Sequence, residues 1–172
     1  SPVPYDFPMR ASRDKAYMVA DQRFAAGRPD VLCFTTEPLA GDVTFAGGIR
    51  AVLQAAISTT DADFVVKLID VWPDNTEYPG YQMLVRGDIM RGRYRRSFSA
   101  PEPFTPGEPT EVAFTMPDIA HTFRKGHRIM VQVQSSWFPL ADRTPQQFVD
   151  IYRCAASDFI PCDVRIYHDR RR

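Results

Sequence analysis

Ile49-Arg50-Ala51-Val52-Leu53-Gln54-Ala55-Ala56-Ile57-Ser58 is the stretch on which the fold turns. In an extended chain Ile49, Ala51, Leu53, Ala55 and Ile57 fall on one side, and Arg50, Gln54 and Ser58 on the other. That is the period of two expected of a strand with one buried face. Working outward, Val31 to Thr36 is apolar and β-prone between Pro29 and Pro38. Phe64 to Trp72 is apolar on both faces except for Lys67 and Asp70, which suits a central strand. Those two charges, three positions apart, point to opposite faces, and each needs a partner if it is buried. Gln82 to Met90 reads as a further strand. Val112, Phe114 and Met116 alternate with smaller or polar neighbours, Ile129, Val131 and Val133 share a face, and Val164 to Tyr167 is a last short run.

The connections are rich in turn formers. Pro73-Asp74-Asn75 and Tyr78-Pro79-Gly80-Tyr81 make one long link, and the segment 101–109, with Pro101, Pro103, Pro106 and Pro109, can only be a loop. Pro117-Asp118 before Ile119-Ala120-His121-Thr122-Phe123 predicts one helical turn capped by Asp118. Gly47-Gly48 reads as the opening of a strand. Residues 1–30 show no sustained period and are expected to cross a surface as an extended segment, with the sandwich spanning 31–172. About seven or eight short strands without helices between them predict an all-β, antiparallel sandwich in one domain, with no internal repeat.

Composition agrees. The 172 residues carry 21 basic and 21 acidic side chains, so the concentrated positive field of a nucleic-acid or anionic-membrane binder is missing. Fifteen Pro exclude a helix bundle, and 12 Phe, 7 Tyr and 2 Trp exclude a disordered chain. No run approaches the roughly 20 apolar residues of a membrane-spanning helix. Ser1-Pro2-Val3-Pro4-Tyr5 lacks Met and has the form of neither a signal nor a transit peptide, reading as the middle of a longer chain. Cys33, Cys154 and Cys162 contain no Cys-x-x-Cys pair and assign no compartment.

A search for self-contained chemistry finds little. There is no Gly-x-Ser-x-Gly elbow, and His121, His127 and His168 carry no zinc spacing; His121 reads as a capping or packing residue and His127 as a turn residue. Neither metal nor cofactor is implied. Asp61 and Asp63 lack the third carboxylate and the glycine of a calcium loop and read as a solvated turn. If the chain alternates, Arg91, Arg93 and Arg95 share a side, as an anion-contacting stripe or as solvated or ion-paired side chains. Trp137-Phe138-Pro139-Leu140 suits a ligand platform, an interface or an aromatic knot closing one end of the sandwich.

Several stretches together carry a resemblance: Asp21-Gln22-Arg23, Arg28-Pro29-Asp30-Val31-Leu32, Lys67-Leu68-Ile69-Asp70-Val71, Arg91-Gly92-Arg93-Tyr94-Arg95, Lys125-Gly126-His127-Arg128-Ile129, and Val131-Gln132-Val133-Gln134-Ser135-Ser136-Trp137-Phe138-Pro139. Over nearly its whole length, and in the family's order, the chain resembles the C-terminal jelly-roll domain of the α-amino-acid ester hydrolases and the related cephalosporin (glutaryl) acylases. Cocaine esterase and X-Pro dipeptidyl-peptidase belong to the wider family. The resemblance implies a jelly-roll sandwich of the galactose-binding-domain-like type. It also implies an upstream α/β-hydrolase domain that holds the catalytic Ser, His and Asp, so no catalytic residue is expected in this chain. This domain would then wall the cleft for a small acyl ester or amide, and support the fold or a homo-oligomer.

The segment Tyr5 to Ala20 would approach that cleft, with Phe7, Met9, Tyr17 and Met18 as substrate-binding candidates. Packing on the sandwich surface is the alternative for all four. A family jelly roll further implies opening strands before Ser1 and a closing strand after His168, which makes the chain one piece of a larger polypeptide with a protease-sensitive basic end. The other functional class left open is a free-standing carbohydrate- or ligand-binding module, with Trp137, Tyr78 and Tyr81 as its aromatic platform.

Overall fold

The computed structural model describes residues 19–168. A single helical turn, α1 (Arg23–Ala26), precedes seven strands: β1 (Val31–Thr35), β2 (Val43–Ile57), β3 (Asp63–Val71), β4 (Gln82–Arg91), β5 (Thr110–Phe123), β6 (Arg128–Gln134) and β7 (Val164–Tyr167). They make two sheets, ordered β1-β6-β3-β4 and β5-β2-β7, with every pairing antiparallel. The two inner faces supply the core, a larger cluster and a smaller one of Leu68, Ile119 and Phe123. Ala51, Ala55 and Ile57 of β2 and Val112, Phe114 and Met116 of β5 meet Phe64 and Val66 of β3, Met90 of β4 and Val133 of β6. The expected sandwich is therefore present, and the alternation in Ile49–Ile57 marks its inner face.

The strand β3 is buried along both faces from Asp63 to Asp70, as an interior strand covered on each side must be. Phe64, Val66, Leu68 and Asp70 look inward. Asp63, Val65, Lys67 and Ile69 look outward, beneath a layer that includes α1 and Trp137.

Two local expectations are corrected. Asp118–Phe123 is not a helical turn but the second half of β5, because β2 begins at Val43 and pairs Val43–Gly47 with Ile119–Phe123. Gly47-Gly48 accordingly lies inside β2 and does not open it. Between Gly47↔Ile119 and Ile49↔Met116, β5 carries Pro117 and Asp118 against Gly48 alone, which is a β-bulge. Pro117 has no N–H to offer the ladder, so the bulge is where it can be accommodated. Gly47 sits at φ 116°, a conformation open to glycine and strained for other residues.

Candidate functional site

Residues 19–26 are fastened to the outer face of the four-stranded sheet, and they lead directly back to the segment bearing Phe7, Met9, Tyr17 and Met18. Those four candidates lie outside the described residues. The fastening begins where the Tyr81 hydroxyl donates to the Val19 carbonyl at 2.5 Å. Asp21 accepts the Gln82 backbone N–H at 3.2 Å and pairs with Arg23, which donates in turn to the Pro79 carbonyl. Gln22 is buried; its backbone N–H donates to Gln82, and its own carbonyl accepts from Ala25, Ala26 and the Gln132 side chain.

Beneath Gln22 lies Lys67, fully buried, donating from Nζ to Gln22 Oε1 at 2.9 Å. The ammonium stands 5.5 Å from the Phe24 ring centroid and 5.2 Å from that of Trp137, so two aromatic faces take the place of a counter-ion. Loss of water, with a smaller contribution from nearby Arg28, lowers the Lys67 pKa to about 8. Lys67 and Asp70 are thus both buried and both partnered, as burial requires of them, and each finds its partners on its own side of the sheet.

On the inner side Asp70 accepts from two imidazoles, His121 Nε2 at 3.0 Å and His127 Nδ1 at 2.8 Å. His127 leans on Trp72, and His121 meets Phe123 edge-on. Each carboxylate oxygen is engaged by one ring N–H, so the group closes on itself as a structural node joining β3, β5 and the turn before β6. Nothing in the sequence linked these three residues, which lie 51 and 57 positions apart. Among the described residues no group of His, Cys, Asp and Glu is arranged to hold a metal ion.

The arginine segment and the Asp61/Asp63 pair explain each other. A 3-10 turn at Gly92–Tyr94 interrupts the alternation, so Arg91, Arg93 and Arg95 do not form a stripe. Arg93 donates to Asp61 at 2.7 Å and Arg91 to Asp63 at 3.2 Å. Asp61 and Asp63 are buried, not a solvated turn. Desolvation pushes the Asp63 carboxyl up to about 6 against the pull of Arg91, and pushes Asp61 up against the pull of Arg93. Arg95 spends its guanidinium on the Gly92, Glu102 and Pro103 carbonyls and lies over Phe104. Trp137 is 5% exposed and packed on Lys67 and Gly87, which makes it part of the outer layer.

Residues 10–153 match the model of the X-Pro dipeptidyl-peptidase C-terminal non-catalytic domain. The chain belongs to that family. It is 44% identical over 124 residues to cocaine esterase of Rhodococcus sp. (strain MB1 Bresler), a match covering 72% of this chain and 21% of that protein. Among solved structures, an aminopeptidase from a marine sediment Thaumarchaeota archaeon superposes with a TM-score of 0.85 at 46% identity, and an α-amino acid ester hydrolase with 0.84 at 48%. Each of these covers 87% of this chain and 25% of the solved one. A CocE/NonD family hydrolase from Staphylococcus aureus shares the fold, at a TM-score of 0.51 and 15% identity over 68% of this chain. The domain described here thus spans about a fifth to a quarter of the length of these relatives, and it has the C-terminal β-sandwich of a hydrolase family.

Proposed function

We propose that this domain is the accessory part of a serine hydrolase that cleaves esters or amides of small acyl groups, the nucleophile and its triad lying in an upstream α/β-hydrolase domain of the same polypeptide. The observation that carries the reading is the match to an ester hydrolase and an aminopeptidase at 46–48% identity over 87% of the chain, a match that takes up only 25% of each of those proteins. Among the described residues His121 and His127 both bond to Asp70, and His168 meets Phe34 edge-on.

In this role the domain acts by positioning and by excluding water. The Tyr81–Val19, Gln82–Asp21 and Lys67–Gln22 contacts fix the point from which residues 1–18 depart, and Phe7, Met9, Tyr17 and Met18 are proposed to wall the acyl side of the cleft. Of the three aromatic residues that a free-standing sugar-binding module would use, Trp137 is buried and the Tyr81 hydroxyl is bonded to Val19, while Tyr78 is exposed beside Trp72.

The test compares the 172-residue chain with the longer polypeptide. The chain alone is expected to hydrolyse no amino-acid ester and to take no label from a serine-directed fluorophosphonate, while the longer protein does both. Labelling of any serine within these 172 residues would overturn the proposal.

A further inference from the structure

The strap that residues 19–26 lay over β3 covers polar groups and satisfies them only in part. Gln22 of the strap and Lys67, Gln82 and Gln132 below it are all buried. The strap orients its own acceptor: Gln22 Nε2 donates to the Ala20 carbonyl at 2.8 Å, which turns Oε1 toward Lys67 Nζ. An ammonium has three protons to donate, and among the described residues this one oxygen accepts from it. The carboxylates nearest in sequence to Gln22 are engaged elsewhere, Asp21 with Arg23 and Asp30 with Arg28, and Arg28 adds a like charge near Lys67. Gln132 Nε2 donates to the Gln82 side chain and the Gln22 carbonyl, while among the described residues its own Oε1 is buried without a partner.

Lys67 Nζ and Gln132 Oε1 both gain water when the strap lifts. A desolvated cation without an anion is costly to keep, and a half-satisfied polar cluster is worse than an apolar one. The cover is also thin. Phe24, whose ring stands over the ammonium on the strap side, is 55% exposed. The strap is held by hydrogen bonds from Tyr81, Gln82 and Gln132 and not by a strand pairing. Trp137 follows β6 and stays on the sheet, so lifting removes Gln22 and Phe24 together and opens Nζ to solvent. The lowered Lys67 pKa agrees, because the docked amine holds its proton less tightly than an open one.

We infer that residues 19–26 are a releasable strap governed by the charge of Lys67: a protonated amine favours release, in which the ammonium is hydrated, and a neutral amine favours docking. Alkali therefore tightens the strap and neutral pH loosens it. The switch stands on the contacts of Lys67 alone. Its meaning for catalysis rests on the reading proposed above, since the strap fixes the point from which residues 1–18 depart and its release would loosen the cleft wall proposed for them.

Hydrogen exchange on the whole 172-residue chain tests this, read as protection factors so that the intrinsic rise of exchange with pH divides out. The amides of Gln22, Ala25 and Ala26 donate to the Gln82 and Gln22 carbonyls. They are expected to be at least roughly tenfold less protected than those of 65–69 in β3, because the strap opens while the sheet stays paired. Their protection should rise about tenfold from pH 7 to pH 9. In Lys67→Met it should be higher than in the wild type at pH 7 and flat with pH. Strap amides as protected as those of β3 overturn the inference, since the strap would then open only with the whole domain. A flat wild-type profile overturns it without any variant, and an equal rise in Lys67→Met removes the lysine from the account. Ester hydrolysis by the longer polypeptide with the same pH dependence in wild type and Lys67→Met counts against the cleft-wall reading and leaves the exchange result standing.

Discussion

Gly87 lies directly under the indole of Trp137. A Cβ built on Gly87 would stand 2.5 Å from the ring's Cη2 and 3.2 Å from Cγ of Lys67. The absence of a side chain on β4 is what lets Trp137 lie flat enough to face the Lys67 ammonium. Gly87→Ala must push the ring away, and the expected cost is about 1–3 kcal/mol, as for overpacking elsewhere. The midpoint of urea unfolding, with tryptophan fluorescence reporting the displaced ring, checks it.

Lys67 gives the domain a stability that rises with alkalinity. Its pKa is lowered from 10.5 in the open chain to about 8 in the fold, so between those values the unfolded state binds the extra proton. Stability therefore increases as pH climbs from about 8 to 10.5, by up to about 3 kcal/mol. Lys67→Met is expected to remove that slope and to leave the domain at least as stable at pH 7, because an apolar side chain of similar length replaces a desolvated charge. Denaturant titrations of both proteins at pH 7 and pH 10 would show it. A wild-type curve flat across this range would count against the account.

Asp63 acts in the opposite sense. Burial raises its carboxyl from 3.8 to about 6, so the folded state holds the proton longer than the unfolded one. Its contribution is greatest below about pH 4 and is lost as pH rises through 6, about 3 kcal/mol in all. Asp63→Asn keeps the neutral form at every pH. The stability of Asp63→Asn minus that of the wild type should grow from pH 4 to pH 7.

Arg93→Met is expected to be the most damaging of these changes. Asp61 is fully buried and receives both the side chain and the backbone N–H of Arg93. Removing the guanidinium strands that carboxylate and also frees the Val149 carbonyl that Arg93 caps. A loss of about 3–5 kcal/mol is expected, measured by thermal unfolding. Arg96→Met, which removes an exposed pair with Glu102, should cost less than about 1 kcal/mol.

What the sequence made legible was the part of the structure governed by local period. Ile49–Ile57 and Val112–Met116 alternate because one face of each is core, and Phe64–Trp72 fails to alternate because β3 is covered on both faces. Asp118–Phe123 misled for a physical reason. Pro117 followed by Asp118 is a sound local signal for a helix start, but pairing with Val43–Gly47 overrides it. The same holds for Asp61 and Asp63, whose partners lie about thirty positions away, one just before a 3-10 turn and one within it. No local pattern announces such a pairing. The Asp70–His121–His127 node shares this character, and its three members were visible only as separate residues.

The layer carrying Gln22 and Phe24 has a practical meaning for where this domain begins. A chain cut to start at Val31 would keep all seven strands, yet Lys67 would lose its hydrogen-bond acceptor and one of its two aromatic faces. The result would be a four-stranded sheet with part of its outer face opened to water and the Lys67 ammonium turned from a buried group into a solvated one. In an expression trial such a protein belongs in the insoluble fraction, although no strand has been touched.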